Sequence, residues 1–275
     1  MANSTLTGKT VVVTGGASGI GLALIKFFAQ FSTNCAILDI SLATASTLLP
    51  ALQTQFPHSR FAFKKCDVSN WEEQRSVFEE VYREFGSVDI VCANAGVTEV
   101  GKLLVDEIDD EGGLLKKPNL KTLDVDLVGT IYSIKLAVYY MRKNTGAQKG
   151  SIICTASNAG LYPFPMAPIY ALSKHAVVGA VRSLALPLQA DGIRINSIAP
   201  NCIETGISDE NLFAHMTITP MSTLLNAVGE LAMNESLSGV TAEISGAKFT
   251  FRGPPEFVDD ISRQNMDAFW ALGYA

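Results

Sequence analysis

The chain has 275 residues, 48% of them apolar and 17% charged, a composition that supports one large buried core and excludes a disordered polymer. Its formal charge of -6 includes no dense run of Lys or Arg, which excludes the basic footprint of a nucleic-acid binder. No run reaches ~18 uninterrupted apolar residues, so no membrane-spanning helix is expected.

At the amino end, MANSTLTGKTVVVTGG lacks the charged start and long apolar core of a signal peptide, and a cytoplasmic protein is expected. TVVVT (10–14) reads as a buried strand, IGLALIKFFAQF (20–31) as a helix, NCAILDI (34–40) as a second strand and LATASTLLPALQTQF (42–56) as an amphipathic helix. RFAFKKCDV (60–68) then precedes NWEEQRSVFEEVYREFG, where Val77, Val81 and Phe85 share one face and Asn70 is placed to cap the helix. VDIVCANAG (88–96) follows, then a long helix within 119–143, GSIICTAS (150–157), a helix from Tyr170 to Ala190, and IRINSIAP (193–200).

Short apolar runs that alternate with helices predict crossover connections and an α/β fold: a single-domain, Rossmann-like, doubly wound parallel sheet of about seven strands with helices on both faces. The stretches 97–118 and 201–241 break the rhythm and are expected as loops or short helices over the carboxyl edge of the sheet, with KFTF (248–251) as its last strand. Five cysteines, Cys35, Cys66, Cys92, Cys154 and Cys202, form no CxxC pair and accompany only three His. They read as buried thiols, with neither a disulfide framework nor a metal site favoured.

TGGASGIG (14–21) stands between the first strand and the first helix. Gly15 suits the tight turn. Gly19 and Gly21 leave room for a pyrophosphate or for packing on the sheet, and Ser18 and Ile20 lie where the helix opens with free N–H donors. Asp39, 18 residues after Gly21, is placed to accept from both hydroxyls of an adenosine ribose and to repel a 2′-phosphate, which favours NAD over NADP. A solvated Asp at a strand end is the plainer alternative.

The ordered set of this turn, NAG (94–96), Ser157 and YALSK (170–174) resembles the classical short-chain dehydrogenase/reductases over residues 8–207. The resemblance implies an NAD(P)-dependent enzyme acting on CH–OH groups. It implies that Asp67 faces the adenine amino group, that Val68 offers a backbone donor, and that Asn94, Ala95 and Gly96 pass close to the cofactor. Pro200, closing the sixth strand, would contact the cofactor, Thr205 would meet the nicotinamide carboxamide, and Ile203 would supply backbone donors beside it. On this reading 1–275 is one domain, with a cofactor half over 8–150 and a catalytic and substrate half over 151–275.

Hydride transfer to or from an alcohol carbon also requires a proton moved at its oxygen. A free phenol titrates near ~10, too high for an efficient base at neutral pH. Lys174, one helical turn beyond Tyr170, is placed to favour the phenolate and to hold the nicotinamide ribose. Ser157, at the preceding strand end, is placed to donate to the substrate oxygen. Singly, each of the three is as ordinary as any Tyr, Lys or Ser at a helix or strand end.

Two departures from the family pattern stand out. Family members carry an Asn in an NxxG stretch of the long central helix, where its main-chain carbonyl holds a water linked to the lysine; here DVDLVG puts Asp126 there. The family's Pro-Gly after the sixth strand is Pro200-Asn201, with Asn201 expected to reach a left-handed turn.

NAGLYPFPMAPI (158–169) is apolar and stiffened by prolines, and Leu161, Tyr162, Phe164 and Met166 are expected to wall a substrate cleft. The leading expectation is an NAD-linked dehydrogenase of a hydrophobic secondary alcohol, of steroid, terpenoid, polyketide or fatty-acid type. Alternatives are an NADPH-dependent ketoreductase or a scaffold of this fold with a non-redox role. Family members form homodimers or homotetramers through the two long helices, and the same is expected here. The carboxyl-terminal DAFWALGYA would cover the cleft or a neighbouring subunit.

Overall fold

The computed structural model describes residues 5–205 and 215–273. β1 (Thr10–Thr14), β2 (Asn34–Asp39) and β3 (Arg60–Lys65) alternate with α1 (Gly19–Ala29), α2 (Ala45–Gln55) and α3 (Trp71–Phe85). After β4 (Ile90–Ala93) a helical run is built from α4 (Lys121–Leu123), a π-turn (Asp124–Val128) and α5 (Gly129–Met141). β5 (Gly150–Thr155), α6 (Pro168–Gln189), β6 (Ile193–Pro200) and α7 (Met221–Met233) lead to β7 (Thr241–Ser245), β8 (Lys248–Arg252) and α8 (Asp260–Leu272).

The strands form one sheet in the order β3-β2-β1-β4-β5-β6-β7-β8, parallel throughout except for the β7–β8 pair. Period-two alternation sorts the side chains between two cores. Val12, Ala36 and Val91 pack with Phe78 of α3, Met141 of α5 and Val177 of α6 on one face. Val11, Val13, Ile37 and Cys92 pack with Phe28 of α1, Leu52 of α2 and Val228 of α7 on the other. A sheet apolar on both faces needs helices on both, which is why its strands read as continuous apolar runs.

Asn70 caps α3 as its position predicts, its Oδ1 accepting from the amides of Glu72 and Glu73 at 3.0 and 3.2 Å. The sheet has eight strands, one more than expected. TAEIS (241–245) lacks a long apolar run and escapes a periodic reading, yet it pairs with β6 and, as a hairpin, with β8. KFTF is therefore an added antiparallel edge. Within 201–241 lies a full helix, α7, whose Leu224, Val228 and Leu231 are buried on the α1 face.

Asn201 does not take a left-handed conformation; among the described non-glycine residues only Ser32 has positive φ. Its side chain holds the turn instead, accepting from the Cys202 amide at 2.8 Å and from Asn158 Nδ2 at 3.1 Å. α8 buries none of its residues, and Trp270 stays 59% exposed, so this helix does not tuck over the sheet edge. All five cysteines are free thiols, and burial pushes Cys35, Cys66 and Cys154 up to about 12. Among the described residues no helix is long and apolar enough to cross a membrane.

Candidate active site

The chain leaves β1 toward β2 and β3, then returns to lay β4 on the other side of β1, so the carboxyl ends of β1 and β4 diverge at a switch point. Crevices at such points receive ligands in open α/β sheets. A cleft of about 510 Å³ opens here. Gly15, Ser18, Gly19, Ile20 and Gly21 of the first turn, Asp39 at the end of β2, Asp67 and Val68 after β3, and Asn94, Ala95 and Gly96 after β4 line it together with Tyr170, Lys174, Pro200 and Thr205. Residues separated by up to 190 positions thus share one wall.

The glycines are where backbone must approach backbone. Gly15 has φ +62°, and a Cβ there would stand 2.9 Å from Ala95 Cα; a Cβ at Gly21 would overlap the Gly15 carbonyl. Asp39 holds the turn from the β2 side: one carboxylate oxygen accepts from the Ala17 amide at 3.0 Å and the other from the Ser41 amide at 2.9 Å. Each oxygen retains lone-pair capacity toward the cleft.

The Ile203 side chain is 8% exposed and packs in the core with Val13, Ile198 and Leu224, which anchors the backbone after β6, while Thr205 reaches the wall beside Gly19. Asn94 lines the cleft but spends its side chain on the scaffold, with Nδ2 donating to the Thr14 carbonyl at 3.1 Å and Oδ1 accepting from the Thr155 hydroxyl at 3.0 Å. Thr14 Oγ1 in turn accepts from the amides of Asn94 and Ala95 at 2.9 and 3.0 Å. The ends of β1, β4 and β5 are laced together under the cleft floor.

Tyr170 and Lys174 lie one turn apart on α6, with the Lys174 ammonium 5.3 Å from the centre of the Tyr170 ring. The ammonium donates to the Thr155 carbonyl at 3.2 Å and forms a buried ion pair with Asp126 Oδ2 at 3.0 Å. The other Asp126 oxygen accepts from the Val97 amide at 2.8 Å. Burial pushes the Asp126 carboxyl above its ordinary value, opposed first by the charge of Lys174 and then by the Val97 bond. Its main-chain carbonyl accepts from the Thr130 hydroxyl at 2.7 Å. It is the Asp126 side chain, therefore, that meets the lysine.

Ser157 is 8% exposed at the end of β5; its Oγ accepts from the Ala159 amide at 3.2 Å and donates toward Asn158 Oδ1 at 3.2 Å. Of the expected apolar wall, Phe164 packs edge-on against Tyr170 at 6.5 Å, and Leu161 is partly buried against the core. The Tyr162 hydroxyl donates to Glu243 Oε1 at 2.6 Å, while Arg252 Nε donates to the other Glu243 oxygen at 2.6 Å. Met166 is 85% exposed.

Glu99 is a site residue that spacing does not reveal. Its carboxylate accepts from the amides of Ile169 and Tyr170 at 3.2 and 2.7 Å, satisfying two free donors at the start of α6 from a loop some seventy residues away. Ala167, at the cap position itself, offers no side-chain acceptor. Glu99→Ala is expected to lower stability by about 1 kcal/mol, the usual cost of a lost cap, which urea unfolding followed by circular dichroism measures.

A family model described as short chain dehydrogenase matches residues 9–214. The chain is 38% identical over 195 residues to the short-chain dehydrogenase/reductase prx4 of Penicillium roqueforti, covering 71% of this chain and 54% of that protein. It thus spans about half the length of that curated relative. It is 30% identical over 263 residues to 15-hydroxyprostaglandin dehydrogenase [NAD(+)] of Rattus norvegicus, covering 88% and 93% of the two chains. The NADPH-dependent 3-quinuclidinone reductase from Rhodotorula rubra is similar in structure, with a TM-score of 0.75 at 26% identity over 90% of this chain and 95% of that one.

Proposed function

The chain belongs to the short-chain dehydrogenase family, and from that premise we propose that it is an NAD-linked oxidoreductase that oxidises a hydrophobic secondary alcohol, with Ser157, Tyr170 and Lys174 as its catalytic residues. The observation that carries this reading is the Tyr170–Lys174 turn with its ammonium 5.3 Å from the phenol ring, set in the same cleft as the glycine turn. The cradle suits a dinucleotide, since Gly15, Gly19 and Gly21 line it without side chains and Asp39 presents acceptors at its far end.

Residues 8–150 would hold most of the cofactor and 151–275 the reacting group, within one domain. The backbone at Gly15–Gly21 and the opening of α1 suit the pyrophosphate, Asp39 the adenosine ribose, Asp67 and Val68 the adenine, and Lys174 and Thr205 the nicotinamide end. When bound, the nicotinamide supplies the hydride acceptor. Tyr170 takes the alcohol proton, Lys174 favours the phenolate, and Ser157 turns its single hydroxyl proton from Asn158 to the substrate oxygen. Val97 and Val125 in the cleft wall and Phe164 against Tyr170 put apolar surface beside the reacting groups, which favours a steroid-, terpenoid-, polyketide- or fatty-acid-like substrate.

The NAD-linked hydroxyprostaglandin relative, similar along nearly its whole length, supports both the cofactor and a lipid-like substrate. The NADPH-dependent neighbour supports the opposite cofactor, but its likeness rests on the fold at 26% identity, whereas Asp39 is a charge at the discriminating position. Half-exposed Ile131 and Tyr139 on α5, with Leu172 and Leu186 on α6, support a homodimer or homotetramer through these helices. The test is a screen of hydrophobic alcohols and ketones with NAD and NADP, following absorbance of the reduced nicotinamide. Oxidation with NAD sustains the reading; turnover only with NADPH overturns its cofactor, and none with either overturns the redox activity.

A further inference from the structure

We propose that Asp126 is a positioning residue that, through Lys174, sets the pH range in which the site turns over; the inference rests on the proton-transfer role given to Tyr170 above. The π-turn brings this carboxylate into the cleft wall, where it is wholly buried. One of its oxygens is fixed by the Val97 amide, and the other stands 3.0 Å from Lys174 Nζ. The same ammonium donates to the Thr155 carbonyl and lies 5.3 Å from the Tyr170 ring. One donor direction is thereby committed to Thr155, and the ion pair holds the charge beside Asp126.

A cation beside a phenol favours phenolate, and a carboxylate in contact with that cation opposes the effect, more strongly where water does not screen it. Side-chain exposure of 4% for Lys174 and none for Asp126 leaves little screening. The pair thus tempers the lysine's pull on Tyr170 while holding its direction.

The other ionisable groups around the turn leave that role to Asp126. Cys154, on β5 beneath, is pushed up to about 12 by burial against the opposing charge of Lys174, so it stays a neutral thiol. Glu99 is committed to the Ile169 and Tyr170 amides at the start of the helix, and the His175 ring bonds the Ala171 carbonyl of its own helix at 2.9 Å. Asp39 and Asp67 line the same cleft without an ion pair to Lys174, and Lys121, also in the lining, is a cation and cannot supply the opposing negative charge. The Val97 amide and the Thr130 hydroxyl facing Asp126 carry no charge.

Asp126→Asn keeps the shape and removes the charge. In this variant the rising limb of kcat for alcohol oxidation against pH should move down by about one unit, so that on the acid side the variant is about tenfold faster than wild type. A second readout needs no cofactor: the tyrosinate absorbance of each protein, minus that of its Tyr170→Phe counterpart, should rise at correspondingly lower pH in Asp126→Asn. Coincident profiles, or a shift to higher pH, in a protein shown folded by circular dichroism overturn the proposal. Asp126→Ser gives the same comparison if the amide does not fold. Activity surviving in Tyr170→Phe would instead remove the functional reading, while a dead Tyr170→Phe with an unmoved Asp126→Asn profile defeats this inference alone.

Discussion

Tyr170→Phe is expected to lower kcat by about 10³-fold, within the range that a positioned acid or base contributes, while leaving NAD affinity within a few-fold of wild type. The substitution removes one oxygen and little else. The ring remains packed on Phe164, and the amide of residue 170 keeps its bond to Glu99. The ion pair that holds Lys174 does not involve the phenol, so the ammonium stays where the ribose hydroxyls would find it. A fall in kcat with little change in binding separates loss of a proton carrier from loss of the cradle. Steady-state kinetics and titration of protein fluorescence with NADH measure the two quantities, and wild-type-like turnover would refute the assignment.

Replacing Asp39 should act on recognition rather than chemistry. Asp39→Ala is expected to shift the NAD to NADP ratio of kcat/KM toward NADP by about 10–100-fold, the worth of charged hydrogen bonds lost to one ligand together with repulsion relieved for the other. The carboxylate also ties the Ala17 and Ser41 amides, so the alanine loosens the glycine turn and weakens both cofactors. Asp39→Asn separates these effects, because its amide oxygen can still hold one backbone donor while the charge is gone. Kinetics with each cofactor decide the matter. An unchanged ratio in both variants would show that Asp39 serves only the turn.

These two experiments bear on residues that local spacing exposes. Four positions along a helix place Lys174 over Tyr170 whatever surrounds them, and a glycine turn between a strand and a helix needs no distant partner to be recognised. Glu99 is different. Its partners lie 70 and 71 positions away, and nothing in VTEV (97–100) marks it as the acceptor for the start of α6. Thr14 and Thr155 are likewise ordinary strand-end threonines until β1, β4 and β5 stand side by side. Tyr162 reads as part of an apolar wall because its ring is large, but the polar partners of its hydroxyl, Glu243 with Arg252, come from the distant β7–β8 hairpin.

The alternation of apolar runs with helices, together with the order of the glycine turn, NAG, Ser157 and the Tyr–Lys turn, by itself determined the α/β class, the crossover topology and the family, because each of these signals is local or depends only on chain order. Strand pairing beyond β6, the burial of Ile203 and the partners of Glu99 were decided only by the tertiary structure, since they depend on which distant segments share an edge or a core. Asp126 marks the boundary between the two. Its identity as a departure is visible in DVDLVG, but a carboxylate beside a lysine has an effect set by distance and burial, and only the folded chain brings the two buried groups to 3.0 Å.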